Sequence, residues 1–271
     1  MTRRCLLGLV IAVAVGLLIA PGSSMARTLD EIIKDGTIRI AVHPNTPPLS
    51  AIDPAGNWSG FDIDIGKLLA ERLGVKAEFV ATQVPDRITY LVADRVDISL
   101  GALVRTPDRM KVIDFSVPLH TENTAVLSTD KHKDKKSYLD FNDEKFTIVS
   151  CRGCSGVKFI QDNAPKAQLL LVDDTANIVR AIAQGRADAA FAVLDFYPVI
   201  MKNYPDTKWH VLPTIIRTLY DPIGVKKGND SVRHWLNAFL YDIQSQGIHN
   251  QIWENNYGSP PIVPVVPQPY W

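Results

Sequence analysis

The chain has 271 residues, with 29 basic and 29 acidic side chains and no net formal charge. That balance excludes nucleic acid as the expected partner, because a polyanion selects a strongly basic footprint. With 46% hydrophobic residues, a chain of this length can bury one large core or two smaller ones.

The N-terminal stretch differs from the rest. Arg3 and Arg4 precede an apolar run from Cys5 to Ala20, and "PGSSMA" follows. This is a basic n-region, an apolar h-region and a small-x-small cleavage site, with Ser24 and Ala26 at positions −3 and −1. The run has 16 residues, short of the roughly 20 that a membrane span needs. Residues 1–26 are therefore expected to be a cleaved signal peptide, and Cys5 to leave with it. The mature protein is expected in the periplasm, an oxidising compartment in which its two remaining cysteines, Cys151 and Cys154, would tend to pair.

Beyond the signal, short strands alternate with helices. "TIRIAV" (37–42) reads as a buried strand. "FDIDIGKLLAERLG" (61–74) places Ile65, Leu68, Leu69 and Leu73 at helical spacing, with Gly74 to stop the helix. "VKAEFVA" (75–81) is a strand, "VPDRITYLVADR" (84–95) a short helix, and "VDISLGA" (96–102) a strand. After a lysine-rich polar stretch the theme restarts. "FTIVS" (146–150) runs through "CRGCSG" into a helix, and "AQLLLVD", "TANIVRAIAQGR" and "ADAAFAVL" repeat strand–helix–strand. Residues 230–258 read as one or two amphipathic helices, in which Trp235 and Trp253 face the core. The proline-rich tail 259–271 is an extended strap or end.

This alternation predicts an α/β fold with mostly parallel sheets and right-handed crossovers. The restart predicts two lobes: residues 27–127 with 215–258, and residues 128–214. Ligands of such sheets gather outside the carboxyl ends of the strands, here between lobes whose two crossover strands act as a hinge.

Enzymatic and metal motifs are sparse. His43, His120, His132, His210, His234 and His249 show no metal-ligand spacing with one another or with the cysteines. Asp62 and Asp64 form a carboxylate pair, yet they flank a helix start, where capping and the helix dipole account for them. No Ser–His–Asp order and no glycine-rich phosphate loop stand out. No cofactor or metal is expected. "CRGC" by itself can be a redox centre, half of a metal site or a plain disulfide.

Four stretches carry a resemblance. "GFDIDIGKLLAERLGV" (60–75), "RTPDRMKVIDFSVPL" (105–119), "QGRADAAF" (184–191) and "GIHNQIWENNYG" (247–258) resemble, in order and spacing, the extracellular solute-binding proteins of family 3. The resemblance implies a type II periplasmic-binding-protein fold. It also implies a receptor that captures a small carboxylate, amino acid or organic acid, by hinge closure. Its partner would be an inner-membrane ABC permease or a sensor domain, and the protein is expected to be a monomer.

The resemblance assigns Arg109 to the ligand carboxylate, which suits the planar donor fork of a guanidinium. Gly101 and Ala102 would line the pocket beside it. Val104 stands where the family has Ser or Thr, and keeps only its backbone N–H. Gly153, Cys154 and Ser155 fall on the family's anion-binding turn at a helix start. Arg87 falls where an arginine would face a second carboxylate, against a plainer reading as a helix-surface arginine paired with Asp86 or Asp94. Thr46 replaces a stacking aromatic, and Val84 is a wall contact. Val193 stands where the family places the aspartate for the ligand's α-amino group. Either Asp195, His43 or another acid takes over there, or the ligand has no amino group. In an exported chain accounted for by this fold, Cys151–Cys154 is expected as a disulfide that stiffens the turn. The alternative to a receptor is an enzyme on the same scaffold, similar to periplasmic cyclohexadienyl dehydratases.

Overall fold

The computed structural model describes residues 26–195, 197–267 and 269. Residues 1–25 of the expected signal peptide, Cys5 among them, lie outside these. Among the described residues no helix is long and apolar enough to cross a membrane.

The chain opens with α1 (Leu29–Asp35), whose start is closed by a reciprocal Thr28–Glu31 capping box. Strand β1 (Thr37–Val42) follows, then a small meander of β2 (Asn45–Thr46), β3 (Ser50–Ile52) and β4 (Trp58–Ser59). Helix α2 (Phe61–Leu73) ends at Gly74 as the sequence predicts, and leads to β5 (Lys76–Ala81), α3 (Arg87–Val92) and β6 (Ile98–Ser99). A short α4 (Pro107–Met110) precedes the 17-residue strand β7 (Ile113–Thr129). The second run comprises β8 (Thr147–Cys151), α5 (Ser155–Asn163), β9 (Gln168–Val172), α6 (Thr175–Ala183), β10 (Ala189–Val193), α7 (Tyr197–Met201) and β11 (Trp209–Val211). Strand β12 (Arg217–Lys226), α8 (Asp230–Ser245) and α9 (Ile248–Tyr257) close the fold.

The main sheet follows the order β5-β1-β6-β12-β7-β10-β8-β9, with β11 against β7. Both ends are parallel, β1 with β5 and β6, and β8 with β9 and β10. The two middle strands, β7 and β12, are antiparallel to each other and break register around Pro222. Those two strands join the lobes, and the core changes hands within them. Leu119 and Ile223 belong to the cluster around Phe61, Leu69 and Trp253, whereas Val126 and Leu127 belong to clusters of the other lobe.

Helices α8 and α9 return to the first lobe because their apolar stripe fits only there. Leu236, Leu240, Ile243 and Trp253 are fully covered within its cluster. Each such side chain contributes about 1.5–3 kcal/mol by leaving water. Trp235 lies at the margin of the same cluster and stacks on Phe239, their centroids 5.5 Å apart. Among the described residues of the tail beyond Gly258 there is no helix. The tail crosses the hinge as a strap, where Thr121 Oγ1 donates to Val263 O and the Ile262 N–H donates to Asp195.

Candidate functional site

A cavity opens between the lobes at the carboxyl ends of the parallel strands. About 650 Å³ of space lies between its walls, open solvent included. Four of the pieces of chain that line it place its polar groups.

The first wall is the turn after β6. Gly101 and Ala102 both adopt left-handed backbone, φ +83° and +53°. For the alanine this conformation costs about 1–2 kcal/mol. The twist presents the carbonyls of Gly101 and Ala102 to Arg87, whose Nη1 donates to both, while its Nε donates to Val84 O at 3.0 Å. The surface pairing of Arg87 with Asp86 or Asp94 does not form, because the guanidinium is buried and turned inward to these carbonyls. Burial lowers its pKa to about 9, and the like charge of Arg109 acts in the same direction.

Asp62 stands behind this turn and departs from the capping role. The residue before α2 is Gly60, and no side chain caps the helix start. The Asp62 carboxyl instead points into the core, where Oδ2 accepts the Gly101 N–H at 2.8 Å and Oδ1 has no protein partner. Complete burial pushes its pKa up to about 8, so it is a neutral acid at pH 7. Asp64 is simpler: it accepts from Asn256 Nδ2 at 2.9 Å.

The second wall is α4. Thr106 caps this helix by accepting the Arg109 N–H, and Pro107 occupies the first turn. Arg109 then reaches across the cleft. Its Nη1 donates to Val104 O at 2.6 Å and its Nη2 to Gly153 O of the second lobe at 2.8 Å.

The third wall is the turn from β8 into α5. Cys151 and Cys154 meet as a pair, with Cα atoms 5.4 Å apart. Between them Gly153 is left-handed (φ +75°), and it packs so closely on the first lobe that a Cβ would lie 2.9 Å from Pro85 Cα. The lobes are thus closed on each other. Thr46 Oγ1 meets Thr175 Oγ1 at 3.1 Å, and Asn45 Nδ2 donates to Asp174 at 3.4 Å.

The fourth wall is the hinge pair. On β7 and β12 the register sets Glu122 opposite Leu219 and Thr124 opposite Arg217, so all four share one face. Arg217 donates to Ser155 Oγ at 3.5 Å and stacks on Phe159, 4.6 Å from its ring centroid. Burial together with Asp221 and Asp195 raises the Glu122 pKa well above the usual carboxylate range, against the pull of Arg87 and Arg217.

Of the residues singled out in the sequence, His43, Thr46, Val84, Arg87, Gly101, Ala102, Val104, Arg109, Cys154, Ser155 and Val193 all line this cavity. Asp195 does not: it follows β10 in a turn and accepts from Asn123 N at 2.9 Å. His43 lines the wall but is fully buried, with Nδ1 2.9 Å from Thr82 O. Burial, then Arg87, lowers its pKa to about 3, leaving it neutral. The sequence reading missed Glu122, Thr124, Arg217 and Leu219. Nothing local marks them: Glu122 sits in the polar run His120-Thr121-Glu122-Asn123-Thr124, and Arg217 stands beside Thr218. Among the described residues no cluster suited to a metal ion occurs.

A two-lobed α/β architecture closing on a cavity rich in guanidinium groups defines a solute-binding protein. Residues 38–259 match the bacterial extracellular solute-binding proteins, family 3, and the chain belongs to that family. It is 30% identical to a cyclohexadienyl dehydratase of Pseudomonas aeruginosa, over 66% of this chain and 68% of that one. It is 28% identical to a probable amino-acid ABC transporter-binding protein of Haemophilus influenzae, over 82% and 85%. Among solved structures it resembles an ancestral amino-acid-binding protein, described as a precursor of cyclohexadienyl dehydratase. That match has a TM-score of 0.78 at 29% identity, covering 84% of this chain and 99% of that one. These neighbours share the type II periplasmic-binding-protein fold.

Proposed function

We propose that this protein is the periplasmic receptor of an ABC importer. It captures a small carboxylate-bearing solute between its lobes and presents the closed form to a membrane permease. One observation carries the reading. Arg87, Arg109 and Arg217 all line the cavity, and the ion pairs among the described residues include none of them. Each is held by carbonyl or hydroxyl oxygens instead, with Glu122 and Asp221 near them but bonded to none, so a bound carboxylate can pair directly with guanidinium donors. Lobe closure over that anion stabilises the closed form by the ligand's differential affinity for it. In this reading residues 1–26 are removed on export. Cys151 and Cys154 form a disulfide in the periplasm, stiffening the turn whose Gly153 carbonyl receives Arg109.

A thermal-shift panel of amino acids, keto acids and dicarboxylates tests the proposal. At least one carboxylate should raise the melting temperature. Arg109→Ala should weaken that ligand by about 1.5–3 kcal/mol, roughly tenfold to 150-fold. Equal affinity in the variant, or a response to no carboxylate at all, overturns the reading.

A second reading has its own support. Glu122 is a carboxyl held towards its neutral form beside arginines, an arrangement suited to a general acid, and one relative is a dehydratase. Incubation with prephenate separates the two: phenylpyruvate formation would make the protein an enzyme on this scaffold.

A further inference from the structure

A second cavity lies on the other side of the hinge. On β12, Arg217 and Leu219 line the cleft, whereas Tyr220 takes the opposite face in the strand alternation and lines this second space. The two cavities share no described lining residue. The walls of the second are the first stretch of β7, one part of α8, and the tail at Pro264, Val265 and Val266. Its volume of about 520 Å³ falls within the roughly 300–1,000 Å³ of small-molecule sites.

Three polar side chains in these walls are short of partners. Asn237 on α8 is 2% exposed, and its Oδ1 accepts the Val117 N–H at 2.8 Å. Its Nδ2 donates to no described residue. Arg105, just before α4, has neither a hydrogen bond nor an ion pair among the described residues. Arg233 gives Nε and Nη2 to Asp230 and keeps Nη1 unbonded. A buried donor without an acceptor is costly to keep. Ser116 does not relieve it, because its hydroxyl is taken by Val117 O and the Ile223 N–H.

The charge is lopsided as well. Among the described residues no acid lines the cavity, and Asp230 beside it offsets Arg233 but not Arg105. The remaining surface is mainly apolar, from Phe115, Val117 and Pro118 on β7 and Val265 on the tail. Free donors and one uncompensated cation above an apolar floor suit a monoanion with a hydrocarbon body.

We propose that this cavity is a second ligand site, on the hinge face away from the cleft, for a small carboxylate with an aromatic or branched apolar body. Arg105 and the Asn237 amide take the carboxylate, and β7 and the tail cover the apolar part. The site is independent of what the cleft binds, since it shares none of its residues.

Ligand-observed NMR titration of the full mature protein tests this, with phenylacetate and isovalerate each set against its neutral amide. Each acid should bind about three- to tenfold more tightly than its amide. Arg105→Ala, at an exposed position, should erase that advantage. So should Asn237→Asp, which keeps an oxygen for the Val117 N–H and puts an anion where the free donor was. Arg109→Ala, which alters the cleft, should leave the titrations as they are. Melting temperatures show whether each variant is folded. The proposal falls if neither acid binds, if the amides bind equally well or if Arg105→Ala changes nothing. It also falls if Arg109→Ala abolishes the binding, which would place the probe in the cleft.

Discussion

Gly153 is the place where the closed state is most sensitive to a single methyl group. Its φ of +75° is costly for any side chain, and a Cβ would lie 2.9 Å from Pro85 Cα on the opposite lobe. Gly153→Ala therefore carries two separable costs. The backbone cost, about 1–2 kcal/mol, is present whether the lobes are open or closed, so it lowers stability and leaves the closure equilibrium alone. The clash exists only in the closed state, and it falls on a backbone atom that cannot rotate away. Overpacking of that kind costs about 1–3 kcal/mol. It should weaken a ligand that binds by closure about fivefold to 150-fold.

Gly185→Ala is the matched control. Gly185 is also left-handed, φ +68°, but nothing lies within 4 Å of where its Cβ would be. Both variants should lose a few degrees of melting temperature, at about 2–4 °C per kcal/mol for a chain of this size. Calorimetry with the tightest compound of the carboxylate panel should show weakened binding only in Gly153→Ala. Small-angle scattering should show that variant failing to compact when the ligand is added. Equal affinity in the two variants would refute the claim that the Gly153–Pro85 contact belongs to the ligand-bound state.

Asp62 predicts a pH effect of defined sign. Its folded-state pKa of about 8 lies above the ordinary 3.8, so between those values the folded protein keeps a proton that the unfolded chain has released. Its contribution makes stability fall as pH rises through that window, by at most about 1.4 kcal/mol per pH unit. Asp62→Asn, which keeps an oxygen for the Gly101 N–H, should flatten the fall when denaturant midpoints are compared at pH 5 and pH 8; an unchanged slope would disprove the assignment. Removal of the tail after Gly258 should cost the Thr121 and Asp195 contacts. At about 1–3 kcal/mol, that is a drop of about 2–12 °C by scanning calorimetry, and an unaltered melting temperature would show that the strap contributes nothing.

Most of the frame was legible because it rests on local rules. The helical period of 61–73, the stop at Gly74 and the restart after the lysine-rich stretch each depend on residues close in sequence, and each reappears in the structure. The turn between Cys151 and Cys154 was legible for the same reason. Asp62 was misjudged because a carboxylate early in a helix has a sufficient local explanation. Only the approach of Gly101, 39 residues away, turns it inward.

The sequence by itself determined the alternation of strands and helices, the two-lobed plan and the charge balance. These follow from periodicity, from turn residues and from motifs contiguous in the chain. Only the tertiary structure decided which charges face the cavity. Glu122 and Arg217 are 95 residues apart and become neighbours on one face through the β7–β12 register. Asp195, close to the expected position in sequence, is drawn away by Asn123 and the tail. Strand pairing sets which side of a sheet a residue occupies. That pairing is a long-range choice, which no local stretch of the chain can encode alone.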